Sequence, residues 1–315
     1  MARAFTSEQL LTEVRRIGAF SDVSSEGKTD TDILNALNTV MLDELVPNLL
    51  RYREEYLVKA INQTITASDT FINIPSRAIG NTLRDVYFVS SDLSANEYLP
   101  KISREDIPFL ASLDTTNTPG GFYVEGDSIR LLPGPTSGVL RLSYFFRPGT
   151  LVKADSYRTV ASVDSTTSVT LNSAVPTSWD TDTLFDVHSK NSGAENRYFD
   201  KVATTVSGTT LTFSTAIDGS LADTQAIQVG DYVVEAENAA VPALPREMHP
   251  ILAQAAAARM LESEGDTEML EVARQTLARQ LQNMNQILEA RVEGKPIKVT
   301  NKNSFLNRQT FRGAW

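Results

Sequence analysis

The chain has 315 residues, 41% hydrophobic and 22% charged, with a formal net charge of −10 and no cysteine. These proportions exclude general disorder, a prior of roughly 150 residues per domain predicts about two domains, and the missing cysteines rule out disulfides and thiolate metal sites, as suits a reducing cytosol. No apolar run reaches the roughly 18 residues of a membrane span, and the opening "MARAFTSEQLL" turns polar too soon for a secretory signal, so neither membrane insertion nor export by that route is expected.

In chain order, Thr6 followed by Gln9 has capping-box spacing, and Gly18 stands where the resulting short helix would stop. A polar turn leads to a second start, Thr29 with Asp32. From there Ile33, Leu37, Val40, Leu45, Leu49, Tyr52 and Tyr56 recur at three- to five-residue steps, predicting a long amphipathic helix that Pro47 should kink or end early. Between about 58 and 100 the runs "QTITASDTFINIP" and "RDVYFVSSD" read as strands, and "SREDIPFLASL" as a short helix capped by Ser103. In "TPGGFYVEGDSIRLLPGPTSGVLRLSYFFRPGTLV", residues 118–152, apolar alternation is broken at Gly126-Asp127 and at Pro133-Gly134-Pro135. That pattern predicts three antiparallel strands joined by tight turns.

Residues 153–240 are rich in Thr, Ser, Val and Asp, and they repeat at an offset of 42. Val160-Ala161 recurs as Val202-Ala203, and Thr167, Val169, Thr170, Leu171, Ala174 and Val175 recur as Thr209, Leu211, Thr212, Phe213, Ala216 and Ile217. Two such strand-turn-strand copies are able to close a small barrel or sandwich and so remove exposed edges.

After "ENAAVPALPREMHP" the chain becomes helical. Pro250 suits a first turn, "ILAQAAAARMLESE" offers a narrow alanine face, Gly265-Asp266 breaks it, and Leu270, Ala273, Leu277, Leu281, Met284 and Leu288 define a second helix. This αα-hairpin should pack on the helix that begins near Asp30, closing one bundle from the two ends of the chain. The expected class is therefore α+β. A helical bundle with a small antiparallel sheet (1–152 and 241–290) carries an inserted, internally duplicated all-β barrel or sandwich (153–240) and an extended C-terminal tail (291–315).

That tail, ending "NKNSFLNRQTFRGAW", has neither helical nor strand period. It sets Arg291, Lys295, Lys298, Lys302, Arg308 and Arg312 against the single Glu293, a net +5 that leaves −15 on the rest of the chain. An acidic body repels nucleic acid, whereas a basic tail suits an acidic protein surface. Phe305, Leu306, Phe311 and Trp315 are expected as apolar anchors, with Lys298, Lys302, Arg308 and Arg312 pairing with carboxylates of a partner.

The stretch 118–152, then "LPREMHPILAQAAAARMLESEGD" and the closing helix, resembles the adaptor (head-completion) proteins of tailed bacteriophages in order and spacing of elements, over about 1–152 and 241–300. The resemblance implies a homo-oligomeric ring of twelve copies beneath the capsid portal, and a C-terminal tail packed on the portal protein. It also implies a downstream tail or neck protein as partner, a place in the virion neck after synthesis in the host cytoplasm, and genomic DNA passing through a channel without specific binding. The duplicated β segment departs from the smallest members of that family.

No catalytic, cofactor-binding or metal site is expected, and no reaction. His188 and His249 fall in different segments, where hydrogen bonding is the default role. Asp180, Asp182 and Asp186 lack the glycine turn and distal glutamate of a calcium loop, and no phosphate-cradling glycine loop occurs. The alternative reading is a glycan-binding or glycan-cleaving virion component acting through the inserted β domain.

Overall fold

The structure is a computed structural model that describes residues 5–20, 28–89, 96–103, 105, 107, 119–132, 137–190, 198–219, 225–265 and 267–288. Helix α1 (Ser7–Gly18) begins with the expected capping box: the Thr6 hydroxyl accepts the Gln9 N–H and the Gln9 side chain accepts the Thr6 N–H. Its left-handed cap is Ala19, at φ 52°, and not Gly18. Gly18 serves a close approach instead, because a Cβ there would lie 2.2 Å from the ring of Phe20, folded back over it.

Helix α2 (Asp30–Val40) starts with the Thr29–Asp32 box and runs without a break through a π-helical turn, Met41–Leu45, into α3 (Val46–Tyr52). Pro47 therefore does not end the helix. A proline ring collides with the carbonyl four residues before it and has no N–H to bond there. Widening the preceding turn, so that Val46 N–H bonds Met41 C=O, accommodates both problems and lets Leu45 and Leu49 stay in the core.

At the other end of the chain α4 (His249–Glu264), with Pro250 in its first turn, is joined through left-handed Gly265 (φ 76°) to α5 (Thr267–Leu288). Helix α4 lies against α1, α2 and α5. Ala253, Ala255, Ala256 and Ala257 are all buried on it, and small side chains on several faces are what permit close approach of three helices. Leu10, Val14, Ile33, Leu37, Met41, Leu49, Leu252 and Met284 share the resulting core.

Two antiparallel sheets follow the helices. Strands β1 (Val58–Ile65), β2 (Ile72–Asn73), β3 (Ala78–Val89), β4 (Asn96–Tyr98), β5 (Gly121–Glu125), β6 (Ser128–Leu132) and β7 (Gly138–Phe146) form a four-stranded sheet in the order β1-β7-β3-β4 and a three-stranded one in the order β2-β6-β5. The expected meander over 118–152 holds for the β5–β6 hairpin only. Strand β7 leaves it and pairs with β1 and β3, because its nine residues are largely buried on both faces and belong at a sheet centre. The inner faces of the two sheets meet over Ile72, Val86, Phe88, Phe122, Ile129, Leu140 and Leu142. The helix expected from Ser103 onward falls for the most part outside the described residues.

Strand β8 (Thr150–Leu151) leads into a closed barrel of β9 (Tyr157–Val163), β10 (Ser168–Leu171), β11 (Leu184–His188), β12 (Tyr198–Ser207), β13 (Thr210–Phe213) and β14 (Tyr232–Glu235), in the cyclic order β10-β13-β12-β11-β14-β9. Exchanging β9 with β12, β10 with β13 and β11 with β14 reproduces that order. The hydrogen bonds follow the exchange: Leu171 N–H to Thr209 C=O (2.7 Å) corresponds to Phe213 N–H to Thr167 C=O (2.8 Å), and Val175 N–H to Gly208 C=O (2.9 Å) to Ile217 N–H to Thr166 C=O (2.7 Å). Val169 and Leu211, related by the sequence offset of 42, face each other across the β10–β13 pair.

The offset fails at one expected place. Val160 is buried but Val202 is 44% exposed, and the residue opposite Phe213, as Val160 is opposite Leu171, is Ala203. The turn from Val206 to Leu211 is one residue shorter than that from Val163 to Val169, so Ala203 takes the inward place and Val202 turns outward, since a one-residue slip reverses the face of every side chain.

The chain leaves the barrel through β15 (Asn238–Ala239), which runs parallel to β8. This pair is the stem on which the barrel stands. A Cβ at Gly149 would come within 2.8 Å of the Asn238 carbonyl oxygen, so the two strands approach more closely than a side chain allows.

Candidate functional site

The eight tail residues expected to dock, Lys298, Lys302, Phe305, Leu306, Arg308, Phe311, Arg312 and Trp315, lie outside the described residues. Among the described residues no group of three His, Cys, Asp or Glu side chains is placed to hold a metal ion. Asp180 closes its own turn, accepting from the Asp182 N–H (3.0 Å) and the Thr183 hydroxyl (2.8 Å). Asp186, its expected neighbour, belongs elsewhere.

Asp186 sits at a joint where the outer wall of the barrel meets the four-stranded sheet. Along β11 the side chains of Phe185 and Val187 point into the barrel core, so Asp186 and His188 must point out. Both are nevertheless buried, because the sheet covers that wall. Opposite Asp186 the ladder slips: Phe185 pairs with Lys201 but Val187 pairs with Tyr198, leaving Phe199 and Asp200 facing a single residue. This is a β-bulge, and Asp200 adopts the left-handed region at φ 54°. The bulge directs Phe199 onto Phe146 of β7, ring centroids 4.6 Å apart, and brings the Asp200 carboxylate to the same place.

From the sheet side comes Arg77, in the turn before β3. Its side chain is 4% exposed, and its Nη2 donates to Asp186 (2.5 Å) and to Asp200 (3.0 Å). The Arg77 carbonyl accepts the Arg147 N–H at 2.7 Å, which fixes the turn. Asp186 also accepts the N–H groups of Asp200 (2.9 Å) and Glu237 (3.1 Å), so its charge is held by the barrel's own backbone as well as by the arginine. Lys59 of β1 adds an ammonium over the rings of Phe146 (5.8 Å) and Phe199 (5.4 Å). The His188 ring lies 5.7 Å from that of Phe199, and its Nε2 is 2.9 Å from the Asn238 carbonyl in the stem.

Burial pulls the Arg77 guanidinium down, but the Asp186 and Asp200 carboxylates outweigh it and leave it raised. Burial pushes the Asp186 carboxyl up, and the charges of His188 and Arg77 offset only part of that. Tyr144, on the sheet beside them, is pushed up to about 12 by burial and then by Asp200. Arg77, Asp186, His188 and Lys59 are buried, and the Asp200 side chain is 40% exposed. They form a buried ionic and aromatic plug, suited to fixing the barrel's orientation on the sheet.

Two other contacts hold the chain ends together. His249 is buried at the start of α4; its Nδ1 accepts the Phe5 N–H at 2.9 Å, so its Nε2 carries the proton and donates to the Leu244 carbonyl at 3.2 Å. Burial lowers its pKa to about 4. Near the stem, the Ser7 N–H donates to the Ala240 carbonyl and the Ala154 N–H to Glu8, tying α1 to both chain segments at the barrel's base.

Sequence reasoning missed the joint. Nothing in "LFDVH" or "RYFDKVA" distinguishes an aspartate on a solvated outer wall from one covered by a sheet more than 100 residues away. The only local hint is an aspartate and a histidine alternating with apolar residues in one strand.

The profile of a family described as SU10 adaptor protein matches residues 6–174, more than half of the chain. The match runs from α1 through both sheets and β8, the first strand of the stem, into the first hairpin of the barrel, β9–β10. No curated protein matches the chain.

Proposed function

Since this chain belongs to the SU10 adaptor family, a family of phage head-to-tail adaptors, we propose that it is a structural virion protein of the neck, assembled as a ring that joins the capsid portal to the tail. The family match is the observation that carries this reading. Around it we divide the chain into an adaptor core of helical bundle and small sheet (1–152 and 241–290), an inserted barrel (153–240) that arose by internal duplication, and a docking tail (291–315). The paired hydrogen bonds across β10–β13 support the duplication.

The division of charge supports the mechanism. A ring wall drawn from a body of net −15 lets DNA phosphates slide past without adhering, and a tail of net +5 with aromatic anchors takes an acidic surface on the portal. Docking orders the tail at the expense of chain entropy, offset by buried aromatic surface and charge-assisted bonds. Twelve copies and a downstream neck or tail partner follow from the family resemblance. The protein has no reaction of its own in this scheme.

The test is a truncation. Protein ending at residue 299 should fold and remain dispersed yet fail to retain the portal protein in a pull-down; retention equal to that of the full chain would overturn the docking role of the tail.

A further inference from the structure

The barrel meets the rest of the chain at its base, around the stem and α1, and at a joint of different character on the sheet. In the stem β8 and β15 run side by side and Asn38 of α2 bonds Leu151 through both its amide atoms. The joint is the plug of Arg77, Asp186, Asp200 and Phe199. The barrel's strands close on themselves, and its core of Val160, Val169, Phe185, Leu211, Phe213 and Val233 lies wholly inside it, apart from the plug. Phe199, by contrast, packs against the core of the sheets from outside.

We propose that the plug is a latch and the stem its hinge: with Arg77 closed between Asp186 and Asp200 the barrel is held in one orientation on the sheet, and with the latch open the intact barrel swings about the stem. Two observations support release at the plug and not at the stem. A buried ion pair gives orientational specificity but little net stability, because both partners have lost their hydration. The Asp200 side chain is 40% exposed while Asp186 and Arg77 are buried, so water reaches the latch from the Asp200 side without any strand separating. At the stem the Thr150 and Val152 N–H groups bond Glu237 and Ala239, the Thr150 hydroxyl bonds Asn238 across the pair, and Asn38 bonds Leu151 from the helix side. An adaptor with such a device presents its barrel in a fixed direction until a neighbouring component contacts it.

The absence of native cysteine makes a direct measurement available. Spin labels at Val163→Cys on the barrel and Val272→Cys on α5, both exposed positions, report the distance between the two bodies by pulsed electron resonance. The expected result is one narrow distance distribution with Arg77 present and a broad or divided one in Arg77→Gln, with the barrel still melting cooperatively. Asp200→Asn, which removes only the outer carboxylate, should broaden the distribution less. An unchanged distribution in both variants would overturn the latch. So would loss of the folded barrel in Arg77→Gln, which would make the plug part of the barrel's own fold. Neither result depends on the protein's role in the virion.

Discussion

The side-chain amide of Asn38 is bonded to the backbone of Leu151 in both directions: its Oδ1 accepts the Leu151 N–H at 2.7 Å and its Nδ2 donates to the Leu151 carbonyl at 3.1 Å. A helix side chain thus takes the place of a third strand beside the stem. Asn38→Leu leaves both backbone groups without partners and should lower stability by about 1–3 kcal/mol in chemical denaturation. Asn38→Asp keeps an acceptor but loses the donor, and should fall between the two.

The stem should also be intolerant of bulk at Gly149. Ala at that position places a methyl group within 2.8 Å of the Asn238 carbonyl oxygen, a backbone atom that cannot move without parting the strands. Gly149→Ala should raise amide hydrogen exchange at Thr150 and Val152, whose N–H groups bond Glu237 and Ala239. Exchange at the barrel strand β13 should stay as it was.

Acid should loosen the contact between the N-terminal segment and α4. The folded pKa of His249 is depressed to about 4, so the unfolded chain takes up a proton first on acidification. Its contribution is therefore fully present above the ordinary histidine value of about 6.5, declines as pH falls, and is exhausted near 4, with a ceiling of about 3 kcal/mol. Denaturation midpoints measured from pH 7 to pH 4 should fall less steeply in His249→Gln than in the parent. An identical slope in the two would show that His249 is not the titrating group.

The two valines that repeat in sequence should behave differently. Val160→Ala removes a core side chain and should destabilise the barrel by at least about 1 kcal/mol, whereas Val202→Ala, on the outer face, should stay within about 0.5 kcal/mol. Leu211→Ala, at the centre of the barrel, should cost about 2–5 kcal/mol. Its effect should not add simply to that of Val169→Ala, because the two residues face each other.

Local chemistry made several elements legible from the sequence. Both capping boxes, the proline in the first turn of α4 and the left-handed Gly265 are short-range devices whose partners lie within a few residues, and spacing reveals them. Alternation disclosed four of the six barrel strands, those of the two repeated hairpins, since a strand with one face inside a closed barrel has a period of two whatever lies beyond it. The one-residue difference between the two hairpin turns escaped notice because a repeat of letters does not record a slip in register.

Nor does sequence record what covers an outward face. β7 reads as the third strand of a meander and lies inside another sheet; Asp186 stands in the sequence beside two loop aspartates and, with Asp200, encloses an arginine from a turn in the first quarter of the chain. Composition and period determined that this protein has capped helices at both ends, a β-rich middle and a basic, aromatic tail on an acidic body. Tertiary structure alone decided how the barrel is fastened, because a buried ion pair between a barrel strand and a turn more than 100 residues away depends on their meeting, and no local preference encodes that meeting.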